Sequence, residues 1–345
     1  MGEGQLPYLG ERRNLKMRQF KPNRLKKDYF LWPECNVLKG VASAYNFTST
    51  TEIEIILKSM FPSGFPVLCS SGRSALSFAL IESNVMRNDL VGIFPYASHC
   101  VLDAISRIAT PLPGFAATRA SLRVVYHQWG YVQETNLAKN SIEDCVDTLC
   151  VPGTTLFPGG GRFEIWSLPK ILGTTSGGVL WCRDEETAKK IRNLRDSKGG
   201  SLFQWFLRLF AQIFKVAYAY WQGAECDRGN VSRFQTGEIL AAIRKWDFFV
   251  DARFKNLEEI WPLAVDWLAK PTDRLPPVVP VHVDNQESEI YQYGISSGFR
   301  MFEYLKNNSE RKLLKVLPVP IHQDITSSWL VNLIKNLDYS KSESR

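Results

Sequence analysis

The chain has 345 residues, 45% of them hydrophobic and 22% charged, and its net charge is +7. This composition is typical of a folded chain and excludes intrinsic disorder, and no apolar run reaches the roughly eighteen residues of a membrane-spanning helix. The seven cysteines include no CxxC pair, which predicts no metal site or redox motif and favours a reducing, cytoplasmic compartment.

Residues 1–50 show little periodicity and are predicted to form an N-terminal arm without the apolar core of a signal peptide. We interpret its basic residues as a solvated surface, with a phosphate-rich ligand, anionic lipid or nucleic acid as alternatives. No zinc finger or RNP motif accompanies them, so nucleic acid is not an expected partner. These basic residues are Arg12, Arg13, Lys16, Arg18, Lys21, Arg24, Lys26 and Lys27.

From about residue 51 to 270, short apolar runs alternate with helical stretches. This alternation predicts a mainly parallel α/β sheet with helices on both faces. Ligands of such sheets bind at the carboxyl ends of the strands. The predicted strands are 65–69, 90–94, 122–126, 141–142 and 178–182, and helices are predicted over 74–81, about 101–108 and the residues after 184.

The aromatic stretch 203–221 carries few charges. We interpret it as a buried or dimer-interface helix, with docking to a membrane surface as the alternative. A long helix is predicted over about 236–268, and Pro271 and the prolines that follow mark a boundary. We therefore predict an arm (1–50), a large domain (51–270) and a small C-terminal α/β domain (271–345).

Three segments carry candidate chemistry. Gly72, Arg73 and Ser74 join a strand to a helix, where small residues and free N–H groups suit a phosphate. Asp144 ends a strand, and a carboxylate there suits the protonated ring nitrogen of pyridoxal phosphate (PLP). Lys170 lies among apolar and small residues, a setting that favours an amine able to form a Schiff base. Taken singly, each segment also fits an ordinary turn, a helix cap or a loop lysine.

The order of these segments resembles fold-type I PLP enzymes, and most of all the sugar aminotransferases of the DegT and StrS kind. Gly72-Arg73-Ser74 stands in place of that family's Gly-Thr-Ala turn, and Lys170 keeps the family spacing to Gly177-Gly178. Other segments follow in the same order and extend the resemblance over about 65–335. They are Pro95 to His99, Tyr126 to Gly130, Glu143-Asp144, Gly229-Asn230 and Val316 to His322.

The resemblance implies a homodimer that binds PLP through Lys170 and transfers an amino group from glutamate to a nucleotide-linked keto-sugar, in polysaccharide or natural-product sugar synthesis. Lys170 would be the catalytic residue and Asp144 the partner of the ring nitrogen. His99 would stack on the ring. Gly72, Arg73 and Ser74, with Asn230 of a partner chain, would hold the phosphate. His127 and His322 are interpreted as structural.

The chain also departs from the family pattern. Asp147 stands where Gln or His is usual, and a second acid there weakens the charge balance around PLP unless it is turned away. Ser167 lies three residues before Lys170 rather than five, a spacing that other fold-type I branches use. The segments 113–122 and 130–141 are short, which predicts trimmed crossovers.

These departures leave two further functions open. One is a different PLP reaction, such as that of a lyase or decarboxylase, for which the same cofactor residues would serve. The other is a non-catalytic descendant that acts by binding, for example at a membrane surface. Binding to anionic vesicles that weakens with salt would distinguish the latter from the enzymes.

Overall fold

The computed structural model describes residues 29–43, 46–94, 97–114, 119–134, 140–200, 202–203, 205–206, 229–283, 294–306 and 310–343. The basic residues 12–27, Pro95, Tyr96 and the aromatic stretch beyond residue 206 lie outside these ranges, so the predictions made for them stay predictions. None of the described helices is both long and apolar enough to cross a bilayer.

Twelve strands and nine α-helices are described. The strands are β1 (Phe65–Cys69), β2 (Leu90–Ile93), β3 (Thr110–Pro113), β4 (Leu122–Tyr126), β5 (Ser141–Asp144), β6 (Leu149–Cys150), β7 (Phe163–Ser167), β8 (Gly178–Cys182), β9 (Arg274–Leu275), β10 (Val278–Val281), β11 (Arg300–Lys306) and β12 (Glu310–Pro320). The helices are α1 (Val37–Ser43), α2 (Thr50–Met60), α3 (Gly72–Glu82), α4 (His99–Ser106), α5 (Leu168–Leu172), α6 (Glu185–Ser197), α7 (Arg233–Ile243), α8 (Trp246–Ile260) and α9 (Ser327–Glu343).

Seven strands form the central sheet, in the order β1-β8-β7-β5-β4-β2-β3. Strands β3, β2, β4, β5 and β7 run parallel, whereas β8 is antiparallel to both β7 and β1. Strand β1 therefore points the same way as the parallel set. The carboxyl ends of β1, β2, β4, β5 and β7 meet at one edge, which is where ligands of open α/β sheets bind.

Both faces of the sheet are covered, because side chains of a strand alternate between them. In β8, Leu180 and Cys182 join a core formed with α3, α4 and α6. Val179 and Trp181 join a second core formed with α2, α7, α8 and α9. Burial on both faces explains the continuous apolar runs of β1 and β8. The predicted α/β class with helices on both faces is confirmed.

The segments predicted to be trimmed crossovers, 113–122 and 130–141, include residues outside the described ranges, so their trimming stays a prediction. Within residues 119–134 and 140–162, the connections that flank β5 contain no α-helix, only a 3₁₀ turn at Gln128–Gly130. The β11–β12 hairpin covers this part of the sheet instead. Trp129 stacks on Phe302 at 5.3 Å between ring centroids, and Gln133 Oε1 accepts the backbone N–H of Leu305 at 2.7 Å. A hairpin distant in sequence thus packs on the connection after β4.

The prediction of one long helix over 236–268 is wrong. The chain forms α7 and α8, separated at residues 244–245, and α8 ends at Ile260. Trp246 is buried, and its indole N–H donates to the Cys150 carbonyl at 2.8 Å. This contact holds the start of α8 against β6.

The C-terminal residues form a three-stranded antiparallel sheet, β10-β12-β11, beside α9. Residues 29–36 of the predicted arm pack against this part of the molecule. Tyr29 and Leu31 are buried, the Phe30 carbonyl lies 3.1 Å from His322 Nε2, and the Glu34 N–H donates to Asp324 at 2.8 Å. This anchoring brings residues 30–32 to the carboxyl edge of the central sheet.

Candidate active site

A cavity of about 770 Å³ lies at the carboxyl edge of the sheet. The ends of β2, β4, β5 and β7 line it, together with the start of α3 and α4. Residues 30–32 close one side and residues 296–301 another. Segments distant in sequence therefore meet at the edge where the sequence predicts a ligand.

The turn from β1 to α3, residues 70–73, forms one end of the cavity. Ser71 caps α3 by accepting the Ser74 N–H, and Ser74 Oγ lies 3.0 Å from the Ser71 N–H in return. Ser74 is fully buried and lies outside the cavity lining, whereas Gly72 and Arg73 line it. The start of an eleven-residue helix gives this end a positive potential that suits an anion.

Gly177 and Gly178 hold this turn in place. The Gly177 N–H donates to the Ser70 carbonyl at 2.8 Å, and Gly177 has a φ of +106°. A Cβ on Gly178 would lie 2.3 Å from the Ser71 carbonyl carbon and 2.5 Å from the Gly72 nitrogen. The Gly-Gly pair, noticed in the sequence for its spacing to Lys170, is thus required for the close approach of two backbones.

Lys170 and Ser167 come from β7 and the short helix α5 that follows it. Ser167 precedes α5, yet its hydroxyl makes no cap bond, and the side chain lines the cavity beside Gly72. Lys170 lies in α5 with 31% of its side chain exposed, and it also lines the cavity. Gly173 ends α5 in the left-handed conformation at φ +73°, so the lysine stands on a single fixed turn.

A buried arginine fixes the far end of that turn. Arg253 of α8 is fully buried, and its guanidinium donates to the carbonyls of Ile171 at 2.8 Å and Leu275 at 3.1 Å. Gln323 donates to the same Ile171 carbonyl at 3.2 Å. Burial lowers the pKa of Arg253 to about 9. Nothing in the sequence of α8 indicates this role.

Asp144 is the last residue of β5 and is buried at the cavity floor. The Val146 N–H donates to its Oδ1 at 3.3 Å. Burial raises the pKa of Asp144 to about 6, the charge of Lys170 opposes that rise and the charge of Asp147 adds to it. The negative charge of ionised Asp144 is therefore only partly balanced by neighbouring positive charge. A cationic ligand group next to this carboxylate is favoured for that reason.

Asp147 is fully buried and directed at Lys170 rather than turned away. Its Oδ1 lies 3.0 Å from Lys170 Nζ and accepts the Trp32 indole N–H at 2.8 Å. Its Oδ2 accepts the Tyr126 hydroxyl. Lys170 Nζ also lies 4.6 Å from the centre of the Trp32 ring. Burial, with Asp147 as the next cause, raises the pKa of Tyr126 well above its ordinary value.

The histidines interpreted as structural are engaged with the protein itself. His127 Nδ1 accepts the Gln133 N–H at 3.0 Å, so Nε2 carries the proton and donates to Glu143 at 2.9 Å. His127 is fully buried and does not line the cavity. His322 lies against the Phe30 carbonyl. Both side chains thus fix segments that carry site residues.

Besides Ser74 and Asp147, two more predicted residues, His99 and Asn230, lie outside the cavity lining in this single chain. His99 is exposed at the start of α4, with Nε2 at 3.5 Å from Cys100 Sγ, while its neighbours Ser98 and Cys100 line the cavity. The Asn230 N–H donates to the Gly199 carbonyl at 3.3 Å. The ring stacking predicted for His99 and the partner-chain contact predicted for Asn230 stay predictions.

Several lining residues were missed by sequence reasoning. Trp32 lies in a stretch without periodicity, and Arg300 begins β11, which no motif marked. Gln128 lines the cavity in the connection after β4, and its side-chain amide donates to the Met301 carbonyl at 2.9 Å. Among the described residues, the cations that line the cavity are Arg73, Lys170 and Arg300, against the single acid Asp144. The cavity therefore suits an anionic ligand.

The residues present fit the cofactor that the resemblance implies. One end of the cavity has helix N–H groups, Arg73 and a Ser167 hydroxyl that makes no hydrogen bond to other described residues. The floor has the Asp144 carboxylate, and the wall has the Lys170 amine. These are the groups that a phosphate, a ring nitrogen and an aldehyde require.

Known proteins resemble the chain in both sequence pattern and fold. Residues 53–338 match the model of a family described as "Putative PLP-dependent aminotransferase". The aminotransferase TlmJ from Streptoalloteichus hindustanus has a TM-score of 0.61 at 17% identity, over 93% of this chain and 100% of that one. No curated protein matches the sequence.

Two further solved structures have the same fold. The sugar aminotransferase CalS13 from Micromonospora echinospora has a TM-score of 0.59 at 17% identity, over 91% of this chain and 99% of that one. A DegT DnrJ EryC1 StrS aminotransferase from Brucella abortus has a TM-score of 0.58 at 14% identity, over 88% and 93%. Because the family model covers most of the chain, the chain belongs to a family of PLP-dependent aminotransferases and has the PLP fold-type I architecture.

Proposed function

We propose that this aminotransferase moves an amino group from glutamate to a keto-sugar carried on a nucleotide, with Lys170 as the residue that bonds to PLP. The observation that carries the proposal is the grouping of Lys170, Asp144 and the β1–α3 turn around one cavity at the carboxyl edge of the sheet. Each of the three lies at or shortly after the end of a different strand, and together they offer a partner for each of three groups of one cofactor.

The β1–α3 turn and Ser167 are proposed to bind the phosphate. The N–H groups at the start of α3 and the guanidinium of Arg73 supply positive charge there. The Ser167 hydroxyl lies beside Gly72, where a Cβ would come within 3.4 Å of Ser167 Cβ. Ser74 contributes through its capping bonds to the turn, since its own hydroxyl is buried outside the cavity.

When bound, PLP supplies an aldehyde and an electron-withdrawing ring. Asp144 would hold the ring nitrogen protonated, because its buried carboxylate gains from a cation next to it. Lys170 Nζ would bond to the aldehyde carbon and, once displaced by the amino donor, remove the proton from the donor's α-carbon. Its position on a fixed turn in the cavity wall keeps Nζ within the site after displacement.

Arg300 of the cavity lining is proposed to bind the substrates. Its side chain is exposed, so its guanidinium is available to a carboxylate or a diphosphate. Gln128 and Ser296 add neutral hydrogen-bonding groups suited to hydroxyls. The sugar is proposed from the printed names of the structural neighbours, among them the sugar aminotransferase CalS13, and from the DegT and StrS resemblance.

The experiment is a visible absorption titration of the purified protein with PLP, in wild type and Lys170→Ala. We expect a new visible band in wild type that is absent from Lys170→Ala. Lys189→Ala is the matched control, since Lys189 is exposed on α6, and it should keep the band. A band of equal strength in Lys170→Ala would contradict the proposed role of Lys170.

Substrate assignment is tested on the loaded protein. Glutamate added without an acceptor should bleach the band and release 2-oxoglutarate in a single turnover, and a nucleotide-linked keto-sugar should then restore it. Carbon dioxide or ammonia released from the donor would instead indicate a decarboxylase or lyase, which the same cofactor residues would serve.

We further propose a homodimer, to be tested by light scattering of the PLP-loaded protein.

A further inference from the structure

Asp147 is surrounded by hydrogen-bond donors in the interior of the molecule. Its side chain is fully buried, and both oxygens accept bonds, from the Trp32 indole, the Tyr126 hydroxyl and Lys170 Nζ. Three donors therefore surround one buried carboxyl group and fix its position. Lys170 Nζ is the donor whose side chain is partly exposed, at 31%.

The other charged groups near Lys170 are weaker candidates for its partner. Asp144 interacts with the lysine electrostatically but makes no direct contact with Nζ among the bonds of the described residues. Arg253, in the interior behind α5, acts on Asp147 rather than on the amine. Arg73 and Arg300 line the same cavity, but as cations they cannot be a counter-charge for the amine. Asp147, at 3.0 Å from Nζ, is thus the group whose charge dominates at that nitrogen.

Trp32 ties this pair to the N-terminal segment. Its N–H donates to Asp147 while its ring face lies 4.6 Å from Lys170 Nζ, a position that favours a cation there. Tyr126, at the end of β4, holds the other oxygen. Trp32 and Tyr126, from separate segments, thus fix the carboxylate with its Oδ1 3.0 Å from Lys170 Nζ.

We propose that Asp147, held by Trp32 and Tyr126, is the positioning residue that directs Lys170 Nζ and the counter-charge that stabilises the proton on this nitrogen when it is bonded to the cofactor. This inference rests on the proposed function of Lys170. On bonding, Nζ joins the aldehyde carbon, water leaves, and the nitrogen retains one proton that Asp147 stabilises. A protonated carbon–nitrogen double bond is the form that an incoming amine attacks most readily.

The test is a pH titration of the visible band of the PLP-loaded protein, with no substrate present. In Asp147→Asn the negative charge at Nζ is lost, so the nitrogen releases its proton more easily. We expect the midpoint of the absorbance change to fall by about one to three pH units relative to wild type. Asp147→Glu, which keeps the charge, should return the midpoint towards that of wild type. Asp251→Asn, at an exposed position of α8, is the matched control and should leave the midpoint unchanged.

A second variant gives a shift of opposite sign and does not depend on the folding of the Asp147 variants. Tyr126→Phe removes a donor from Asp147 and keeps the ring, so more of the carboxylate charge acts on Lys170. We expect the midpoint to rise by several tenths of a pH unit up to about one. A merely structural role for Asp147 would lower cofactor affinity in both variants without moving the midpoints in opposite directions.

The outcomes separate this inference from the proposed function. If wild type shows no visible band, or if Lys170→Ala keeps it, both are overturned. If the band depends on Lys170 but its midpoint is unchanged or higher in Asp147→Asn, or unchanged or lower in Tyr126→Phe, only the role of Asp147 is overturned. A lowered midpoint in Asp147→Asn together with a raised midpoint in Tyr126→Phe supports it.

Discussion

The Asp144 carboxyl offers a measurable consequence of burying an acid without a full counter-charge. Its pKa is raised from an ordinary 3.8 to about 6, first because burial removes water from the charged form. The folded protein therefore holds this proton more tightly than the unfolded chain does. Between these two pH values the unfolded state binds fewer protons, so the free energy of unfolding falls as the pH rises.

The size of the effect follows from the difference in pKa. A difference of about two units, at about 1.4 kcal/mol each, corresponds to ~3 kcal/mol. This contribution is complete below the unfolded value and is lost once the pH exceeds about 6. Because the side chain is only 4% exposed, solvent screening does not reduce it appreciably. Asp144→Asn has no proton to exchange and should lack this dependence.

The assay is urea unfolding of cofactor-free wild type and Asp144→Asn, followed by tryptophan fluorescence at several pH values. Titrating groups distant from Asp144 are shared, so they cancel in the difference between the two proteins. From about pH 4 to about pH 7, wild type should lose ~3 kcal/mol relative to the variant. PLP added at neutral pH should then stabilise wild type more than the variant, since the ring cation offsets the charge.

The reasoning fails if the difference in unfolding free energy between the two proteins stays constant across that pH range. It also fails if the difference grows in favour of wild type as the pH rises, because that would mean a folded-state pKa below the ordinary value. In a further outcome, the free energy difference changes with pH as expected while PLP stabilises both proteins equally. That result would support the burial argument and contradict the pairing of Asp144 with the cofactor ring.

Three further variants test other parts of the site. Gly178→Ala places a methyl group 2.3–2.5 Å from the backbone of the β1–α3 turn. The affinity for PLP, measured in an absorbance titration, should therefore fall at least about tenfold. Gly200→Ala, with nothing within 4 Å of the added Cβ, should keep the affinity of wild type. Arg300→Gln should raise the KM for glutamate about tenfold with a smaller change in kcat, and an unchanged KM in steady-state assays would place the carboxylate elsewhere. Arg253→Met removes the guanidinium from the Leu275 and Ile171 carbonyls, and Gln323 still donates to Ile171. The free energy of unfolding should therefore fall by about 2 kcal/mol, and a loss below about 1 kcal/mol in urea unfolding would mean that other donors replace the guanidinium.

Features that depend on neighbouring residues were predictable from the sequence. Apolar runs identified β1, β4 and β8, and small residues after β1 identified the turn that starts α3. The position of Asp144 at a strand end and the spacing of Lys170 to the Gly-Gly pair were equally readable. These features are local because strand alternation, helix starts and tight turns are set within a few residues.

The tertiary structure decided how those local elements are arranged around the site. Trp32 and Asp147 are 115 residues apart, and Arg253 and Ile171 are 82 apart. Trp246 at the start of α8 contacts β6, and the hairpin β11–β12 packs on the connection after β4. No local pattern encodes such pairs. The sequence by itself indicated which residues are candidates for binding a cofactor, because motifs and turns are local. Packing of distant segments decided which of them share the cavity and which carboxyl group lies against Lys170.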